Sequence, residues 1–115
     1  YICTQADANA FMKLFEGFHD SFLNKLTYEE TDQTRRLTVV FDNSCWFGLA
    51  ELCFEGLVAM NLRPAQENYA RYMLGGTLIV KDECIFWADD FLKDEDLSYE
   101  GSYIKALNLK WRKIG

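Results

Sequence analysis

The chain has 115 residues, with 18 acidic against 12 basic side chains and a formal net charge of −6. Half of it is hydrophobic and 16% aromatic, which excludes a disordered tail and predicts one packed α+β domain over residues 1–115, burying about two thirds of its unfolded surface. The acidic excess points away from nucleic acid, whose binding relies on basic surface to displace counterions, and no apolar run approaches the length of a membrane span.

Residues 5–17 read as an amphipathic helix, because Ala8, Phe11, Leu14, Phe15 and Phe18 follow the spacing that gathers side chains on one helical face. Thr4 with Asp7 three positions on forms a capping-box pattern, and Gly17 is placed to end the helix. The period then changes to two. Phe22, Leu26 and Tyr28 share one strand face, and Leu37, Val39 and Phe41 alternate with Arg36, Thr38 and Asp42. A polar link over 30–34 joins the two strands into an antiparallel hairpin. Asn43-Ser44-Cys45 opens a loop carrying Trp46 and Phe47. From Glu51 the alternation predicts Leu52, Phe54, Val58, Met60 and Leu62 on one face, with Gly56 marking a bulge or a close backbone approach.

Pro64 suits the first turn of a short helix near 64–74 that places Tyr69 and Tyr72 on one face and stops at Gly75-Gly76. Leu78 to Val80 and Cys84 to Ala88 read as a second hairpin, followed by an acidic loop from Asp89 to Gly101. The last strand, 102–113, aligns Tyr103, Leu107, Leu109 and Trp111, with Lys105 at the edge of the core, its stem buried and its amine in water. One helix on about six mostly antiparallel strands, rolled or folded into a sandwich, is the expected architecture.

The residues that carry chemistry are few. The chain has a single histidine, so any Ser–His or Cys–His nucleophile depends on His19, with Cys45 as the nucleophile of choice. Asp20, its neighbour, points elsewhere if the segment is extended. The expected role of His19 is therefore structural, tying down backbone groups between helix and strand. Cysteines 3, 45, 53 and 84 lack zinc or redox spacing. They read as reduced thiols, mostly buried, of a cytoplasmic protein. No phosphate-binding loop, dinucleotide fingerprint or nucleophile elbow is present, and no catalytic residue, metal or cofactor is expected.

Binding features stand out more. Between Asp82 and Glu100 acids far outnumber bases, while the segment after Ser102 is purely basic. A solvated loop accounts for the acids. The functional alternative is an electrostatic face for a basic protein, with Asp89, Asp90, Asp94, Glu95 and Asp96 as contacts and Trp46 as an anchor. Exposed edge strands also leave homodimer formation open.

Phe18-His19-Asp20-Ser21, between the helix and the first strand, resembles the Phe-His-Asp-Ser or Phe-His-Asp-Gly start of a loose group of small bacterial domains. Some of these are classed as immunity proteins of polymorphic toxin systems. The Leu-Thr-Val-Val-Phe strand at 37–41 and the Leu-Cys-Phe-Glu-Gly-Leu run at 52–57 are similar too, as is Gly76 to Trp87 more weakly; 63–74 departs from the pattern. The resemblance implies a small α+β domain with no enzymatic site. The favoured reading is a non-enzymatic protein-binding module, of the kind that inhibits a toxin. The alternatives are a small-ligand-binding or self-assembling domain and, less favoured, a small hydrolase using His19.

Overall fold

Thr4 starts the first helix. In the computed structural model, which describes residues 1–43, 46–63 and 73–115, the Thr4 hydroxyl accepts the Asp7 amide at 3.1 Å, and the Asp7 carboxylate accepts the Thr4 and Cys3 amides. This reciprocal cap satisfies first-turn donors that a helix cannot pair internally, and it opens α1 (Gln5–Leu14). The helix is shorter than its apolar spacing predicts. It closes at Phe15 and tightens into a 3-10 turn over Glu16–Phe18, with Gly17 at φ 59°. Phe18 itself takes φ 66°. That turn swings Phe18 into the core and leaves Leu14 exposed, so Leu14 is not the core position expected of it.

Among the described residues six strands follow: β1 (Phe22–Glu30), β2 (Arg35–Asn43), β3 (Gly48–Asn61), β4 (Thr77–Lys81), β5 (Cys84–Ala88) and β6 (Tyr103–Lys113). They form one antiparallel sheet in the order β1-β2-β3-β6-β5-β4. The sheet is rolled and is not a sandwich. Phe41 on β2 and Trp87 on β5 lie with ring centroids 5.1 Å apart, whereas three ladder spacings of about 4.8 Å would separate their strands in a flat sheet. Phe18 fills the angle between them, at 5.0 Å from Phe41 and 5.9 Å from Trp87. The short helix expected near 64–74 lies outside the described residues except for Met73 and Leu74, which are not helical.

The inner face carries the main core. Ala8, Phe11 and Phe15 of the helical segment pack with Val39, Leu52, Phe54 and Leu109, all buried, and each large side chain removed from water there contributes roughly 1.5–3 kcal/mol. Alternation fails in β3 and β6 at the same level. Gly56 takes φ 66°, and a Cβ there would lie 3.0 Å from the Leu107 side chain; Phe54 and Leu57 both face the core, as do Ala106 and Leu109. A register shift between Leu57 and Ala59 follows. Each slip of one residue sends the following side chains to the opposite face. Val58, Met60 and Leu107, expected inside, are therefore exposed.

The outer face is divided. Over β1, β2, β3 and the C-terminal part of β6 it is a ladder of cross-strand ion pairs, Glu29–Arg36, Glu55–Lys110 and Glu51–Arg112. Towards β4 and β5 it is apolar, with Phe86, Ala88 and Tyr103 buried in a second cluster.

Candidate protein-binding surface

The Phe18-His19-Asp20-Ser21 corner is built around a buried amide. Asn43, at the end of β2, is fully buried. Its side-chain nitrogen donates to the carbonyls of Phe15 and His19, each at 3.2 Å, and to the Ser21 hydroxyl, while its oxygen accepts the Phe47 amide at 2.9 Å. One side chain thus joins the helix end, the corner and the loop before β3. These bonds hold a backbone that would not adopt this path unaided, since Glu16, Phe18 and Asp20 all have φ between 53° and 66°, a conformation that costs roughly 1–2 kcal/mol per residue with a Cβ.

The same bend overturns one expectation. Asp20 does not point away from His19. At φ 60° it folds its carboxylate back to 3.4 Å from His19 Nε2, while Nδ1 donates to the Leu74 carbonyl at 2.9 Å. Nδ1 is thus occupied by a backbone carbonyl of the chain, which ties down a backbone group as the sequence predicts, and Nε2 faces the Asp20 carboxylate. Cys45 lies outside the described residues.

The corner also positions an exposed apolar ridge. The Trp46 ring lies 6.1 Å from the His19 ring. Beyond the His19–Leu74 bond comes Gly75, where an added Cβ would stand 2.2 Å from the Phe91 ring. Glycine is what lets Phe91 lie across the backbone there. Trp46, Leu74 and Phe91 are 53%, 76% and 70% exposed, large apolar side chains of the kind that anchor protein interfaces. Phe47, beside Trp46 in sequence, instead packs into the core against Phe15.

Phe91 belongs to the acidic loop, which is a strap laid over the outer apolar cluster. Its backbone is tied at both ends. The Thr77 hydroxyl donates to the Asp90 carbonyl at 2.6 Å and accepts the Leu92 amide at 2.8 Å, and the Tyr103 hydroxyl donates to the Leu97 carbonyl at 3.0 Å. Leu92 and Tyr99 cover Phe86 and Tyr103 from above.

The five acids assigned to a partner divide accordingly. Glu95 accepts the Lys105 amine at 2.6 Å, with both side chains under 20% exposed. Lys105 therefore ends in an ion pair and not in water, and its hydrogen bond to Glu95 holds its pKa above the usual lysine value. Asp94 pairs with Lys81 at 2.9 Å, which holds its carboxyl below the ordinary range, helped by the Glu95 amide. Asp89 accepts the Tyr99 hydroxyl at 2.6 Å. Burial, then that hydrogen bond, pushes the Tyr99 phenol up. Asp90 and Asp96 are exposed. Asp90 accepts the Phe91 amide and Asp96 accepts from Ser98 within the strap, and the Ser98 hydroxyl lowers the Asp96 carboxyl.

The structure therefore brings Trp46 and the start of the strap onto one connected surface, with Asp20 and Asp90 beside it as charge. Leu74 and Phe91 were not among the expected contacts. Phe91 had a signal: a phenylalanine directly after Asp89-Asp90, in a run with no strand alternation, has no core position assigned to it. Among the described residues no group of three His, Cys, Asp or Glu side chains is placed to hold a metal ion, and no helix is long and apolar enough to cross a membrane. No protein-family model matches the chain, and no curated protein or solved structure matches it either.

Proposed function

We propose that the protein is a non-enzymatic binding module that docks a basic protein through the Trp46–Leu74–Phe91 ridge and the exposed carboxylates beside it, in the manner of an immunity-type inhibitor covering a toxin. The observation that carries this reading is the convergence of three exposed apolar side chains on the strained His19 corner, next to an acidic strap. Aromatic anchors supply affinity when a partner excludes water from them. Surrounding acids in a chain of net charge −6 raise the association rate with a basic partner and orient it.

The pairing within the strap determines which charges to test. Reversing Glu95 would break its largely buried tie to Lys105, and reversing Asp94 would break its pair with Lys81, so neither reversal reads partner contact alone. Asp90→Asn, Asp96→Asn and Glu100→Gln together remove three charges and keep an acceptor oxygen at each position. Affinity capture from a lysate of the producing organism at low salt, with a salt-step elution, should retain a basic protein on the wild type. The triple variant should bind the same protein with a slower association rate and a flatter salt dependence. An unchanged association rate would remove the acids from the reading.

A further inference from the structure

The two edges of the sheet differ. The β4 edge is closed by a side chain: the Gln5 amide donates to the Leu78 carbonyl at 3.1 Å and its oxygen accepts the Val80 amide at 2.8 Å. These are the bonds a further strand would make, so Gln5 takes the place of one. Among the described residues β1 forms the other edge. From Lys25 to Glu30, no side chain among the described residues caps its outer backbone in that way.

The hairpin shows which β1 groups face outwards. The Thr31 amide donates to the Thr34 carbonyl at 2.8 Å, and the register continues with Glu29 opposite Arg36 and Thr27 opposite Thr38. Hydrogen-bonded and non-hydrogen-bonded pairs alternate in an antiparallel ladder. Thr27 and Glu29 therefore turn their backbone groups towards β2, and Leu26, Tyr28 and Glu30 turn theirs to the free edge.

Charge indicates what pairs there. Across the outer face runs a row of alternating sign. Lys110 lies 3.6 Å from Glu55, Glu55 stands opposite Arg36, and Arg36 lies 3.1 Å from Glu29. The row ends at the edge on a negative charge. Lys25 projects from the same face of β1 and has no ion-pair partner among the described residues. A two-fold axis through Thr27 would set Lys25 of a second copy opposite Glu29, and Glu29 of that copy opposite Lys25. The same axis pairs the outward backbone groups of Leu26 with those of Tyr28. Moving the axis to Leu26 or Tyr28 places a threonine opposite Lys25 and loses the match.

We infer that the chain forms a two-fold homodimer by antiparallel pairing of β1 with β1 of a second copy, centred on Thr27. This inference stands apart from the proposed function, because it uses the opposite edge strand and neither the ridge nor the strap. The wild-type chain should sediment at twice its 13.4 kDa mass in the micromolar range. Lys25→Glu sets two acids opposite each other and should weaken the dimer at least tenfold. Tyr28→Pro removes an outward amide without touching the β1–β2 ladder, and should give a folded monomer. In the inferred register Thr27 faces itself as a non-hydrogen-bonded pair with Cα atoms about 4.5 Å apart, within disulfide reach. Thr27→Cys should therefore cross-link on mild oxidation, and Lys25→Cys should not. A wild type that stays monomeric, a dimer that survives Tyr28→Pro, or a Thr27→Cys chain that cross-links no faster than Lys25→Cys would each overturn the inference.

Discussion

Replacing Asn43 by alanine tests whether one buried amide organises the corner that carries the ridge. Asn43 is fully buried, and its side chain serves the Phe15 and His19 carbonyls, the Ser21 hydroxyl and the Phe47 amide. The amide has two N–H donors and one acceptor oxygen engaged, and each such bond is worth about 1 kcal/mol net. Buried partners left unpaired add to that, for a total of about 3–4 kcal/mol. Against a stability of roughly 5–15 kcal/mol for a domain of this size, the loss is large. With a urea m-value of about 2 kcal/mol/M, the unfolding midpoint should fall by about 1.5–2 M. Asn43→Asp is the sharper control. It keeps the shape and the acceptor towards Phe47 but sets a carboxylate against oxygens that need a donor. It should be at least as destabilising at neutral pH and recover in part as the carboxyl protonates. A loss below about 1 kcal/mol for Asn43→Ala, or a wild-type midpoint for Asn43→Asp, would refute the reasoning.

Two further perturbations follow from the geometry. Gly56→Ala places a Cβ at positive φ and 3.0 Å from Leu107, and should cost about 1–2 kcal/mol by the same urea assay, with a neutral substitution showing that the bulge is not required. The carboxyls of Asp7, Asp94 and Asp96 are held below their ordinary value of 3.8, by the Cys3 and Thr4 amides, the Lys81 amine and the Ser98 hydroxyl respectively. The folded state thus binds protons later than the unfolded state. The stabilisation is complete above 3.8 and is lost as the pH falls through the lower folded values. The urea midpoint should drop over that acid range, and Asp7→Asn should flatten the drop. A midpoint flat down through the acid range would contradict the assigned bonds.

Much of the fold was legible because strict alternation and capping chemistry are local. Thr4 and Asp7 marked the helix start, and the Leu37-Val39-Phe41 strand lies as its pattern implies, since both depend on residues a few positions apart. The strand faces beyond Gly56 were misread for a reason that is not local. The glycine signalled a bulge, but the direction in which Leu57 and Val58 turn depends on the matching break at Leu107, fifty residues away in sequence. The strap shows the same limit. Its acids were visible as a run, whereas their pairing with Lys81 and Lys105 depends on how β4 and β6 lie beneath it. The link from Trp46 to Phe91 passes through His19, Leu74 and Gly75. No sequence period connects those residues, and only the rolled sheet and the left-handed corner bring them together.

The central claim, that the Trp46–Phe91 ridge is the surface a partner covers, is tested most directly by site-specific photo-cross-linking. A photoactivatable phenylalanine at position 46 or 91, irradiated in a lysate of the producing organism, should yield one cross-linked product common to both positions. The same probe at Lys110, on the outer ion-pair face, should not yield it. A product from Lys110 alone, or no product from either ridge position, would contradict the account.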